Sequence, residues 1–248
     1  MEAKLARPDA SLAAIEDAAA LEARYGRLEP EDIIGAALER FGSGLAAVSS
    51  FGADSAVLLH MIATVEPSLA VVFLETHKHF GETIEYRDAL VADLGLTKLI
   101  VIEPDADQIA ATDPHGMLHK ANPDACCDLR KTQPLARALQ PYRAWLTGRK
   151  RHQAATRSAI PVFEASGGRV RVNPLAAWGT SELVAYVRHH ALRENPLVAY
   201  GYYSIGCFPC TQPSTPDDPR AGRWAGTGKT ECGIHLSGLD RSLTDSSL

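Results

Sequence analysis

Short apolar runs rich in β-branched residues alternate with helical segments along most of this chain, and that alternation constrains its fold more than any other feature. Residues 45–50 (LAAVSS), 69–74 (LAVVFL), 98–102 (KLIVI), 144–146 and 169–172 read as strands. Runs apolar on both faces suit strands buried on both sides of a parallel sheet. Apolar positions recur at helical spacing over residues 9–24, 30–41, 54–65, 80–94, 122–139 and 181–190. Pro30 opens the second of these helices, Gly42-Ser43-Gly44 stops it, and Gly95 ends the fourth. Strands that alternate with helices predict an α/β fold, a parallel twisted sheet flanked by helices and joined by right-handed crossovers.

The chain has 248 residues, enough for one large α/β domain with a sizeable core. With 46% hydrophobic and 22% charged residues, it is neither globally disordered nor fibrous. A net charge of −5 argues against general duplex nucleic-acid binding. No apolar run is long enough for a membrane span. The N-terminal stretch is Ala-rich but carries acids throughout, so no secretory signal is expected and the expected compartment is the cytoplasm. We read one domain over 1–248, with N-terminal helices in 1–42, an α/β core in 43–199 and a Cys-bearing tail in 200–248. Residues 201–238 are rich in Gly, Pro, Ser and Thr and hold three of the five cysteines. This tail cannot form a core of its own, so it is either a disordered end or a segment held by a metal and closing over a site.

Between the first strand and the next helix lies Val48-Ser49-Ser50-Phe51-Gly52-Ala53-Asp54-Ser55. Small residues such as Gly52 let a backbone approach a ligand closely, and the following helix N-terminus offers free N–H groups to an anion. Ser49, Ser50 and Ser55 add hydroxyl donors. The loop lacks the Gly-Lys-Ser/Thr ending of a Walker A motif. The plain reading is a strand-to-helix turn capped by Asp54. Its position favours a ligand, because open α/β sheets bind at the carboxyl ends of their strands.

The five cysteines are Cys126, Cys127, Cys207, Cys210 and Cys232. A reducing compartment disfavours structural disulfides, and the count suggests four ligands plus one free thiol. Asn122 and Pro123 look like the N-cap and first residue of a helix. Cys126 and Cys127 would then sit about 100° apart near its start. Both can reach one centre only if that centre is large, which an iron–sulfur cube meets better than a single zinc. Tetrahedral zinc, buried unreactive thiols and a redox dithiol at Cys207-Phe208-Pro209-Cys210 are the rivals. Cys232 stands apart, within reach in sequence of Arg220, Arg223, Lys229 and His235. Electropositive surroundings of that kind make a thiol nucleophilic.

From Cys126 to Arg157 there are eight basic residues against one acid, Asp128. Thr147-Gly148-Arg149-Lys150-Arg151 follows a strand, so its charges project at the ligand end of the sheet. This excess is either a solvated basic face or a site where Arg forks bind phosphate or sulfate oxygens.

In combination these residues resemble the assimilatory sulfonucleotide reductases, and more closely the iron–sulfur branch that reduces adenosine 5′-phosphosulfate. The resemblance runs from about Leu45 to Leu236. It rests on Cys-Cys-x-x-Arg-Lys at 126–131, Thr-Gly-Arg-Lys-Arg at 147–151, Cys-x-x-Cys at 207–210, Gly-Arg-Trp at 222–224 and Glu-Cys-Gly-Ile-His at 231–235. It implies an adenine nucleotide α-hydrolase-like fold, with the loop at Ser49–Ser55 as a modified phosphate loop. It further implies a [4Fe-4S] cluster on Cys126, Cys127, Cys207 and Cys210. Cys232 would attack the substrate sulfur and expel AMP, and thioredoxin or a glutaredoxin-like reductant would release sulfite from the S-sulfocysteine. Ser49, Ser50, Gly52, Lys131, Arg149, Arg157, Arg220, Arg223 and His235 would contact substrate. The pathway would be assimilatory sulfate reduction toward cysteine. The alternatives are the same reaction on the 3′-phosphorylated substrate and a cluster-bearing tRNA-modifying ATP pyrophosphatase. A non-catalytic zinc module is a third class. Three departures stand out. Phe51 precedes a single Gly52 where Ser-Gly-Gly-x-Asp-Ser is usual. Glu75-Thr76-His77 replaces Asp-Thr-Gly, and His152-Gln153 follows the basic run in place of an Asp-ended one.

Overall fold

A computed structural model describes residues 8–227, 229 and 231–235. The elements run α1 (Pro8–Tyr25), α2 (Pro30–Phe41), β1 (Leu45–Val48), α3 (Ser55–Val65), β2 (Ala70–Leu74), α4 (Gly81–Asp93) and β3 (Leu99–Ile102). They continue α5 (Ala106–Thr112), α6 (Leu118–Ala121), α7 (Pro123–Cys127), α8 (Gln133–Ala138), β4 (Ala144–Thr147), β5 (Phe163–Ser166), β6 (Arg169–Val172) and α9 (Thr180–His189). One six-stranded sheet has the order β3-β2-β1-β4-β6-β5. Every neighbouring pair is parallel except β5 with β6. The expectation of a wholly parallel sheet therefore needs one correction, an antiparallel edge. Its cause is the turn Gly167-Gly168, both at positive φ (56° and 68°), which closes a two-residue hairpin of the kind that needs left-handed backbone.

Alternation along the strands gives the sheet two buried faces. Leu45, Ala47, Val71, Phe73, Leu146 and Val170 pack with α1, α2 and α3 in the main core. Ala46, Val72 and Trp145 face the other way, against Leu135 and Leu139. The chain starts in the middle at β1, steps outward to β3, then returns to β4 on the far side of β1. Strand order thus reverses between β1 and β4, and a crevice opens at their carboxyl ends.

The helix expected over 122–139 is interrupted. Asn122 does cap α7, its side chain accepting from the Ala125 N–H at 3.0 Å. Residues Asp128–Thr132 then widen into a π-helical turn before α8. Pro134 supplies the reason: it has no N–H to return to residue 130, and its ring crowds that carbonyl, so a regular α-helix cannot run through it. Nor does Asp54 cap α3 through its side chain. Its carboxylate instead lies 3.0 Å from the buried Lys150 ammonium. Among the described residues, no helix is long and apolar enough to cross a membrane.

Candidate active site

The crevice is the mouth of a cavity of about 640 Å³. Ser49, Ser50, Gly52 and Ser55 line it from the loop after β1, and Gly148, Arg149 and Lys150 from the loop after β4. Phe51 turns away from it. The ring is fully buried and meets Phe73 edge-on at 5.6 Å. Its backbone is left-handed, φ 48°, a conformation glycine adopts without strain. His77, the other departure from a usual glycine, also sits at positive φ, 57°. Phe51 and His77 thus both hold the left-handed backbone that glycine adopts most readily.

Several cations reach the same cavity: Lys131 from the π turn, Arg157 from the β4–β5 connection, and Arg220 and Arg223 from the tail. The tail does not hang free. Ile205, Cys207, Trp224, Glu231 and Cys232 are all buried. Phe208 N–H donates to the Lys78 carbonyl at 2.7 Å, and Trp224 N–H donates to the Cys210 carbonyl at 3.0 Å. Gly206 is needed for that course, since a Cβ there would stand 2.4 Å from Arg223 Nη2. Trp224 gathers cations over its ring, with the Arg223 and Arg220 guanidinium carbons at 4.4 Å and 5.9 Å and the Lys229 ammonium at 5.6 Å.

Beneath the tail, Cys126, Cys127, Cys207 and Cys210 line one smaller pocket, together with Arg130, Lys131, Arg223 and Trp224. All are free thiols. Thr76 Oγ1 lies 3.3 Å from Cys207 Sγ. Arg130 donates to the Thr76 carbonyl at 2.9 Å and to Asp113 at 2.8 Å, a buried brace behind the pocket. Burial pushes the Cys126 thiol up against the pull of Arg130, and burial likewise raises Cys210. Among the described residues, no three His, Cys, Asp or Glu side chains converge closely enough to hold one metal ion.

Cys232 lies against Cys127 and Trp224. A hydrogen bond from Cys127 holds the Cys232 thiol well below its usual range, Lys131 and Arg223 act in the same direction, and burial opposes. The same hydrogen bond raises Cys127. Burial favours the neutral amine of Lys131, but Cys207, Cys232 and Cys127 together raise its pKa above the ordinary value. Burial pushes Arg220 down to about 10, against Glu231.

The cavity's other charges are largely matched within the protein. Arg149 pairs with Glu164, Lys150 with Asp54, and Arg157 with Glu231. Among the described residues, neither Lys131 nor Arg223 has a carboxylate partner at ion-pair distance. Both line the cavity and the cysteine pocket at once.

Of the residues expected at a substrate site, Ser49, Ser50, Gly52, Lys131, Arg149, Arg157, Arg220 and Arg223 line this one cavity. The side chain of His235 lies outside the described residues. Sequence reasoning gave no role to Glu164 or Asp113, read Asp54 only as a helix cap, and held Lys150 and Glu231 only as members of motifs. Their partners are distant in the chain, and no local spacing signals them. Trp224 was visible only as part of a motif.

Residues 44–213 match the family model described as the phosphoadenosine phosphosulfate reductase domain. A protein of Mesorhizobium japonicum named adenosine 5′-phosphosulfate reductase is 65% identical, covering 93% of this chain and 92% of its own. One of the same name from Chelativorans sp. is 59% identical, covering 97% of this chain and 98% of its own. The crystal structure of phosphoadenylyl-sulfate reductase from Candida auris in a phosphate complex superposes with a TM-score of 0.68 at 28% identity, over 79% of this chain and 97% of that one. A family match through the whole α/β core, with such relatives spanning nearly the full chain, establishes that this protein belongs to the sulfonucleotide reductases, a family of oxidoreductase enzymes.

Proposed function

We propose that this chain reduces adenosine 5′-phosphosulfate to sulfite and AMP in assimilatory sulfate reduction, with thioredoxin or a glutaredoxin-like dithiol as electron donor. One observation carries the reading. A nucleotide-sized cavity and a four-cysteine pocket share two walls, Lys131 and Arg223, and the fifth cysteine is buried against Cys127 and Trp224 of that pocket. A sulfonucleotide brings several negative charges. Arg149, Lys150 and Arg157 are matched by Glu164, Asp54 and Glu231, whereas Lys131 and Arg223, on the cysteine side of the cavity, have no carboxylate at ion-pair distance among the described residues and would meet the anion's charge there. On this reading the sulfur to be transferred lies near Cys232.

Ser49, Ser50 and Gly52 would hold the nucleotide end by hydroxyl and backbone donors, with Arg149, Arg157 and Arg220, offset by Glu164 and Glu231, as polar contacts in the wall. The Cys232 thiolate attacks the substrate sulfur, the S–O bond to AMP breaks, and AMP leaves with the electron pair. The product is an S-sulfocysteine. A dithiol donor then attacks Cys232 Sγ, sulfite leaves, and the donor ends as a disulfide. No other described cysteine can take this role if the remaining four are ligands.

The four-cysteine set fits a [4Fe-4S] cluster by its chemistry. It offers all-thiolate donors, from the end of α7 and a loop, with the braced Arg130 and the cations Lys131 and Arg223 around them. Cys126, Cys127, Cys207 and Cys210 would hold it, and when bound it supplies an anionic metal–thiolate centre beside Lys131. His235 belongs to the same proposal as an anion contact.

The test is an anaerobic incubation with adenosine 5′-phosphosulfate and no reductant. The protein should gain the mass of one SO3 group on the peptide containing Cys232, and added thioredoxin should release sulfite. Cys232→Ser should keep its iron and colour and form no adduct. An adduct on another cysteine, or turnover by Cys232→Ser, refutes the mechanism. The family model and the Candida auris structure carry the name of the 3′-phosphorylated substrate, so rates on both nucleotides are compared. A higher kcat/KM on the 3′-phosphorylated one would reverse the substrate assignment.

A further inference from the structure

We infer that Glu231 is the positioning residue for Cys232: its buried ion pair with Arg157 anchors the tail to one wall of the cavity and so holds Cys232 in its place against Cys127 and Trp224. The inference rests on the reading of Cys232 as the nucleophile. Glu231 and Cys232 are each 5% exposed, yet they have different neighbours. The Glu231 carboxylate accepts from Arg157 Nε at 2.7 Å and Nη2 at 2.8 Å, and Arg220 Nη2 lies 3.6 Å away. Cys232 packs against Cys127 and Trp224. Arg157 sits in a 3-10 turn, Ala155–Arg157, in the connection after β4. Its third nitrogen, Nη1, donates to Gln153 at 2.5 Å. Gln153 thus holds one side of the guanidinium independently of the tail, and Glu231 takes the other.

A two-toothed carboxylate–guanidinium contact fixes direction as well as distance. One residue further along, the chain has little freedom left in where it puts the sulfur. Gly233 closes the placement from below, because a Cβ there would lie 2.9 Å from Thr132 Oγ1 in the π turn that carries Lys131. The nucleophile is therefore held between a charged anchor before it and a steric seat after it. A misplacement of about 1 Å in a reacting group can cost on the order of 100-fold in rate, so the anchor acts on chemistry without touching substrate.

Two variants test this, Glu231→Gln and Arg157→Lys. Both keep side-chain size and remove the two-toothed geometry. The first measurement needs no substrate: iodoacetamide labelling of Cys232, followed by peptide mass spectrometry. Both variants should label Cys232 at least about 10-fold faster than the parent. The second is single-turnover formation of the SO3 adduct, which should slow by about 100-fold, while AMP inhibits Glu231→Gln at least as well as it does the parent. Unchanged labelling in both variants overturns the inference. So does a loss of AMP affinity in Glu231→Gln that accounts for the slower adduct formation, because the pair would then be building the nucleotide cavity. If instead the parent itself forms no adduct on Cys232, the proposed mechanism fails, and the labelling result still reports on the anchor.

Discussion

Replacing Asp113 with Asn should destabilise this protein more than any single change at the cavity surface. Asp113 and Arg130 form an ion pair at 2.8 Å with side chains only 2% and 5% exposed. Asp113 also accepts the Leu118 N–H at 2.9 Å, and Arg130 also donates to the Thr76 carbonyl at 2.9 Å. The amide in Asp113→Asn keeps the shape and strands a buried guanidinium. Breaking one partner of such a pair costs about 3–5 kcal/mol. At roughly 2–4 °C per kcal/mol for a chain of this size, Tm should fall by about 6–20 °C. Thermal unfolding followed by circular dichroism reads this, on samples matched for iron content, since bound metal adds its own stability. Removing both charges together, as Asp113→Leu with Arg130→Met, should cost less than the single change, because no buried charge is left behind.

The pH dependence has a fixed sign. Burial works to raise the Asp113 carboxyl, but Arg130 and the Leu118 N–H outweigh it and hold it below the usual carboxylate value. A carboxyl depressed in the folded state contributes stability above its unfolded pKa of about 4. That contribution is lost as pH falls through the lower folded value. The Tm gap between parent and Asp113→Asn should be constant from pH 8 to 5 and shrink only on acidification below about 4. A change in Tm under about 2 °C at pH 7.5, or a gap that widens toward acid, refutes the reasoning.

Lys131→Ala should lower kcat/KM by about one to three orders of magnitude, the scale of one lost charge-assisted contact; steady-state sulfite release measures it, and an unchanged value removes Lys131 from the site. Cys207→Ser should abolish the visible absorbance and most of an iron content of about four per chain, and stoichiometric zinc in place of iron in the parent would refute the cluster. His77→Gly should raise Tm by about 1–4 °C, because it relieves roughly 1–2 kcal/mol of left-handed strain at φ 57° and returns less than that in chain entropy.

What the sequence made legible is whatever a residue's type and near neighbours decide. The bounds of α2 and β6 are as expected, because Pro30, Gly42 and the Gly167-Gly168 turn punctuate them locally. The same turn also signals β5, but residues 163–166 alternate too weakly to read alone as a strand. Pro134 marked the break in the long helix; its apolar periodicity masked it. At the site, cysteines and arginines were found by kind. What each arginine is bonded to was not legible. Arg157 and Glu231 are 74 positions apart, and Arg130 and Asp113 are 17 apart on different elements.

That difference changes how the basic stretch from Arg130 to Arg157 should be read. As a sequence it is one run of positive charge facing one anion. In the folded chain it divides by partner. Arg130 is spent on a brace behind the cysteines, Arg149 on Glu164, Lys150 on Asp54, and Arg157 on the residue before Cys232. The π turn forced by Pro134 carries Lys131 to the wall shared by the cavity and the cysteine pocket, opposite the Arg223 that Gly206 makes room for. Positive charge without a carboxylate of its own is thereby concentrated at the one place where a fifth cysteine is buried. A chain with a net charge of −5 can bind a strongly anionic nucleotide without a basic surface, because Arg149, Lys150 and Arg157 are offset by their own carboxylates while Lys131 and Arg223 stand at the cavity with none at ion-pair distance among the described residues.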